Sequence, residues 1–224
     1  MLNLCIALYT EAQPFIEQLQ LKKDERKTHF QIFEGEDARL ILTGAGEIPA
    51  AVAVTYLLTQ YPMGKTDLLW NVGIAAGNAE KFGIGTCCIC HKITEQTTNR
   101  TFYPELLFQH PFAEAEIQTR LIPAQKGIKE EVLVDMEAAG IYQAAQPFCQ
   151  VHQLGFFKVV SDWADGKRVT ADQARRLIAM HAKDILCLAQ QVQQSLQARR
   201  GERFTALEQQ EIDCAAAEHG LSLT

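Results

Sequence analysis

The chain has no apolar run long enough to span a bilayer and no excess of positive charge. Its 21 Lys and Arg against 27 Asp and Glu give a formal net charge of -6 and a pI of about 5.5. That balance argues against a nucleic-acid binder, which usually presents a basic face. Met1-Leu2-Asn3-Leu4-Cys5 lacks the basic region of a signal peptide, so a cytoplasmic protein is expected. There is no internal repeat, and a disulfide framework is excluded by an odd number of cysteines, seven, without a secretory signal. Cys87-Cys88-Ile89-Cys90-His91 suggests a metal site, yet it lies in a strand-like stretch where neighbouring side chains point to opposite faces. No second cysteine pair completes a tetrahedral set. These cysteines read as small core residues, and neither a metal nor an organic cofactor is expected.

What is present is an ordinary globular composition, 47% hydrophobic and 21% charged over 224 residues, enough for one substantial core with an appendage. Strands are expected over 2–8, 28–34, 38–42, 67–72, 86–94, 116–122, 131–134 and 156–161. Helices are expected from a capping pattern at Thr10-Glu11-Ala12-Gln13, over 48–60 and 136–152, and from a capping box at Thr170 to Gln173 onward. Residues 96–111 read as loop. The alternation predicts an α/β domain over 1–197, three-layer α/β/α with a central mixed sheet. A linker-like stretch, 198–203, leads to a last short helix with Thr205 to Glu208 as its capping box, packing on the body or on a partner subunit.

The most informative features are two acidic clusters, each placed where an apolar run gives way to a helix: Val134-Asp135-Met136-Glu137-Ala138-Ala139-Gly140 and Ser161-Asp162-Trp163-Ala164-Asp165-Gly166. Ligands of α/β proteins sit at the carboxyl ends of strands, so two such clusters can converge on one substrate. Either alone reads equally well as helix N-terminal acids. Gly44-Ala45-Gly46-Glu47-Ile48-Pro49 faintly suggests a dinucleotide turn, with Asp67 near the place of a ribose-binding acid. Pro49 at the third-glycine position and the charge of Glu47 oppose that reading. Asn71-Val72-Gly73-Ile74-Ala75-Ala76-Gly77 is a small-residue turn that serves either close packing or a wall for a sugar.

Taken in order with Ala7-Leu8-Tyr9-Thr10-Glu11, these segments resemble the nucleoside phosphorylase/nucleosidase superfamily, and within it the methylthioadenosine/S-adenosylhomocysteine nucleosidases. The resemblance runs, with a gap, from Met1 to about Leu196 and is carried chiefly by Asp-Met-Glu-Ala-Ala and Ser-Asp. It implies hydrolysis of the N-glycosidic bond of an adenosine-like purine nucleoside by a homodimer. Asp162 corresponds to the acid that protonates purine N7, and Ser161 to the residue that orients it. Glu137 corresponds to the carboxylate on the ribose hydroxyls, Met136 to a thioether against the sugar, and Glu11 to the residue that deprotonates water. Asp135, Gly73, Ile74 and Ala75 are placed by the same resemblance along the substrate. An oxocarbenium-like transition state needs an acid on the leaving group, negative charge near the sugar and a base for water.

The phosphorylases of this superfamily usually carry an arginine where Asn71 stands, and Glu11 would repel a phosphate dianion, so water is the expected nucleophile. Lys158 either adds positive charge or faces solvent. The chain departs from the pattern at Ile74, where a serine is expected. It departs also in the short stretch before Val134, where only Ile122-Pro123-Ala124-Gln125-Lys126-Gly127 replaces a base-holding loop. Phe102, Tyr103 and Trp163 are candidates to stack on the base instead. A phosphate-dependent phosphorylase, or a nucleoside-binding protein without turnover, are the alternatives.

Overall fold

Nearly every apolar run forms a strand buried on both faces. A computed structural model describes residues 1–26, 29–124, 128, 131–166, 168–199 and 210. Leu2–Ile6 (β1) is wholly buried and parallel to both Ala38–Leu42 (β4) and Leu68–Ala76 (β5). β5 is also parallel to Leu154–Asp162 (β10). Lys22–Lys23 (β2) and Ile32–Glu34 (β3) continue antiparallel from β4 to one edge. Cys87–Glu95 (β6), Ala113–Thr119 (β8) and Leu133–Asp135 (β9) complete the other side. Because β10 pairs with β6 and β9 touches β5 at Ala76, the strands β5, β10, β6, β8 and β9 form a closed ring within the mixed sheet. Alternate residues feed two apolar clusters on opposite faces. Leu2, Leu4 and Ile6 join Trp70, Phe157 and Ile185 in one, whereas Cys5 joins Leu57, Ile141 and Phe156 in the other.

Several boundaries differ from the sequence expectation. The first helix, Tyr9–Gln18 (α1), starts earlier than the Thr10 capping pattern placed it. Leu8 is its N-cap, and the Glu11 carboxylate accepts the Leu8 N–H at 3.2 Å. The second, Glu47–Gln60 (α2), follows Gly46, whose φ of 109° suits a residue without a Cβ. The presumed turn at Gly73 to Ala76 is the end of β5, since small side chains let the strand continue beside β10. A short strand, Thr101–Phe102 (β7), pairs with β6 inside the stretch expected to be loop. Ala138–Ala145 (α3) stops well before His152: its C-cap Gln146 is still helical in conformation, but Pro147 has no N–H with which to continue the ladder. A 3-10 turn, Val151–Gln153, follows it.

The last described helix, Ala171–Arg199 (α4), is capped as expected: Gln173 N–H donates to Thr170 Oγ1 and Thr170 N–H to Gln173 Oε1. It runs through the first two residues of the expected linker. The remainder of that linker and, apart from Gln210, the expected final helix lie outside the described residues, as do Thr28 and Gln125 to Gly127. Cys5, Cys87, Cys88 and Cys90 are buried and free, with burial pushing their thiols up. Among the described residues no set of His, Cys, Asp and Glu is arranged to hold a metal, and no helix is long and apolar enough to cross a membrane.

Candidate active site

The residues just after β1 and the last residues of β5, β9 and β10 surround a cleft of about 200 Å³. It is lined by Glu11, Ile74, Ala75, Asp135, Met136, Glu137, Ser161 and Asp162, so both acidic clusters open into one space. Asp162 is fixed from two sides. The Ser161 hydroxyl donates to its Oδ2 at 2.7 Å, and the Ala164 amide donates to Oδ1 at 2.8 Å. A β-bulge between Val160 and Asp162 makes Ser161 the supernumerary residue of β10, and its hydroxyl also stands 3.2 Å from Ala75 O.

Glu137 is the N-cap of α3 and is 8% exposed. Its Oε1 accepts the Gly46 amide at 2.9 Å, and its Oε2 the amide of Met136 at 3.3 Å. Burial pushes its carboxyl up, opposed by Lys158. The Gly44 to Gly46 turn thus gives its last amide to a carboxylate, which leaves that position unsuited to a pyrophosphate. Asp67 closes a local turn by accepting the Gly64 amide at 2.7 Å, which removes the dinucleotide reading.

Glu11 is 3% exposed and accepts the amides of Leu8 and Ile74, both at 3.2 Å. Burial pushes its carboxyl up to about 7, with the Ile74 amide and Lys158 pulling the other way. A group that titrates there can exchange a proton near neutral pH.

Lys158 does not face solvent. Both it and Asp135 have side chains 1% exposed, and they form an ion pair of 2.8 Å. Burial would lower the lysine pKa, but Asp135 and Glu137 outweigh it and hold the ammonium charged. Asp135 also accepts from Thr119 Oγ1 at 2.7 Å and from the Ala138 amide at 2.8 Å. Both its oxygens are therefore committed within the protein, although the residue borders the cleft. Gly73 gives Lys158 and Glu11 a window on each other: a Cβ there would lie 3.7 Å from Lys158 Nζ and 3.8 Å from either Glu11 oxygen.

Not every candidate is brought to the cleft. Gly73 contributes this window and no wall. Phe102 is buried in β7 and stacks on Tyr142, with centroids 4.9 Å apart, and Tyr103 is exposed; neither lines the cleft. Trp163 lies beyond Asp162, its indole N–H donating to Phe82 O at 2.9 Å. Asn71 sits inside β5 with its amide on Cys5 O. Sequence reasoning did not foresee Pro123 and Ala124, which line the cleft from the shortened loop. It also missed the Lys158–Asp135 pair, although a lysine within the apolar run Phe156 to Val160 signals a buried cation needing a carboxylate.

No protein-family model matches the sequence, and no curated protein matches it. Solved structures do. The methylthioadenosine/S-adenosylhomocysteine nucleosidase of Neisseria meningitidis, in complex with methylthio-immucillin-A, superposes with a TM-score of 0.67 at 19% identity, over 83% of this chain and 97% of that one. The Colwellia psychrerythraea nucleosidase, in complex with adenine, gives 0.69 at 16% identity, over 85% and 94%. The S. pneumoniae enzyme, bound to a transition-state inhibitor, gives 0.69 at 16% identity, over 84% and 97%. The mixed sheet is therefore that of a known architecture, and the chain has the fold of the methylthioadenosine/S-adenosylhomocysteine nucleosidases.

Proposed function

We propose that the protein is a nucleosidase that hydrolyses the N-glycosidic bond of a purine nucleoside. The observation that carries this reading is the convergence of Asp162, Glu137 and Glu11 on one cleft. Asp162, in its acid form, donates a proton to N7 as the C–N bond breaks, so the base leaves neutral. Glu137 accepts hydrogen bonds from the ribose hydroxyls and stabilises the positive charge that develops on the sugar. Met136 lies against the sugar. Glu11, ionised, takes a proton from the water that bonds to the anomeric carbon. The products are free base and the ribose moiety.

Water is favoured over phosphate by charge. Among the described residues lining the cleft there is no Lys or Arg, and Lys158 is already paired with Asp135. A phosphate dianion would meet two buried carboxylates with no free cation among the described residues of the cleft. The apolar clusters on opposite faces support a three-layer α/β/α arrangement of the 1–197 domain. Exposed Leu8, Tyr9, Ile48 and Val52 at the starts of α1 and α2 form apolar surface that a second copy in a homodimer would cover.

The test is to incubate the protein with a panel of purine nucleosides, with and without inorganic phosphate, and follow free base. Release that needs no phosphate is expected. Release that requires phosphate makes the protein a phosphorylase, and release from none removes the reading.

A further inference from the structure

At the end of the sheet away from the cleft, beside the first residues of β5 and β10, two cavities of about 310 and 670 Å³ meet at His152 and Leu196. Together they form one groove. The final turns of α4 supply Leu188, Val192 and Leu196 to it. Leu107, 66% exposed, and Phe148, 38% exposed, line it from the β7–β8 connection and from the segment between α3 and β10. Apolar side chains of that size open to water mark a surface that something covers.

The chain beyond α4 is suited to it. Residues 200–224 begin one turn past Leu196, where the two cavities meet. They carry five Asp and Glu against two Arg. The described lining of the groove contains no Asp or Glu and offers Lys65 and His152. Gln210, the one described residue of this segment, is helical and exposed. A lone helix of about fifteen residues is marginal in water and needs a surface to pack on. At about 100° per residue, Ile212, Ala215 and Ala216 fall on the side away from Gln210, with Phe204 at the start. The lengths also agree. Leu188 to Leu196 covers about 12 Å of α4, and a helix from Thr205 to His219 about 22 Å, so a chain that turns back at Gly201 can run antiparallel along the groove.

We propose that residues 200–224 fold back along α4 and occupy this groove of their own chain, tying the β7–β8 connection and the segment after α3 to the end of α4. The chemistry of the cleft plays no part in this assignment. The test times thiol labelling by a maleimide in the full chain carrying Cys187→Ser and Cys214→Ser. Ser195 is exposed and lines the groove, whereas Gln194 is exposed and lines neither cavity. Ser195→Cys and Gln194→Cys are made separately, each with the native C-terminal segment and with Phe204→Asp plus Ile212→Asp, and the parent sets the background. A docked segment shields position 195, so labelling there should quicken about tenfold or more with the two aspartates, and position 194 should not change. An unchanged rate at position 195, or an equal change at both positions, overturns the proposal. The Ser195→Cys chain with the two aspartates is also refolded with an excess of chains that keep Ser195 and the native segment. Its labelling should stay fast. Protection in that mixture would mean that a second copy fills the groove, which overturns the assignment to the same chain.

Discussion

Lys158 and Asp135 form a 2.8 Å ion pair with both side chains 1% exposed, directly beneath the cleft. Removing one member of such a pair strands the other in a dry interior, which costs about 3–5 kcal/mol. Lys158→Met should therefore lower unfolding stability by that amount in urea titrations. Lys158→Met with Asp135→Asn should be less destabilised than the sum of the two single variants, because neither charge is then left alone. Additive losses would mean that the two groups act independently.

Asp162→Asn keeps the shape and the Ala164 amide contact but has no carboxylic proton to give. Its kcat should fall by about two orders of magnitude or more while nucleoside binding persists. Ser161→Ala should cost less, since the Ala164 amide still holds one oxygen. Steady-state kinetics with binding measured separately decides both.

Glu11 couples activity and stability to pH in opposite directions. As the proposed base for water it must be ionised, so kcat/KM should rise with pH and level off above about 7, the value to which burial pushes it. For stability the sign is reversed. Between its ordinary 4.5 and about 7 the unfolded chain is ionised while the folded chain holds the proton. The stabilising contribution is thus complete below 4.5 and lost as pH rises through 7, amounting to on the order of 3 kcal/mol. Glu11→Gln should abolish the acid limb along with most of the rate, and should melt higher than wild type at pH values above 7. Lys158→Met should move the acid limb of the rate profile upward by removing the facing ammonium.

Gly140 in α3 packs against the start of α2. A Cβ there would lie 2.3 Å from the Glu47 carbonyl oxygen, a backbone atom that cannot step aside alone. Gly140→Ala should destabilise the fold by roughly 1–3 kcal/mol and raise KM, since α2 begins next to the Gly46 amide that holds Glu137. Thermal melts and kinetics check the two effects separately.

The parts legible in the sequence were those written in local patterns. Apolar runs located the strands, and Thr170 with Gln173 located the start of α4. The two acidic clusters pointed to one cleft because strand ends gather ligands whatever the register. What escaped were long-range partners. Nothing near Asp135 announces that its oxygens belong to Lys158 and Thr119, which come from other strands. Nor does the run Gly73-Ile74-Ala75-Ala76 reveal that it extends a strand, since that depends on β10 lying beside it. Phe102 looked available for stacking on a base until its pairing in β7 turned it onto Tyr142.

The bulge at Ser161 decides where Asp162, the proposed proton donor, points. In strict alternation position 162 would follow Val160 into the apolar interior, and one surplus residue turns it aside. Aim here is a matter of counting along the chain. Losing or gaining a single residue near the end of that strand would disarm the protein with all three acids intact, a fragility that no scan of point substitutions would uncover.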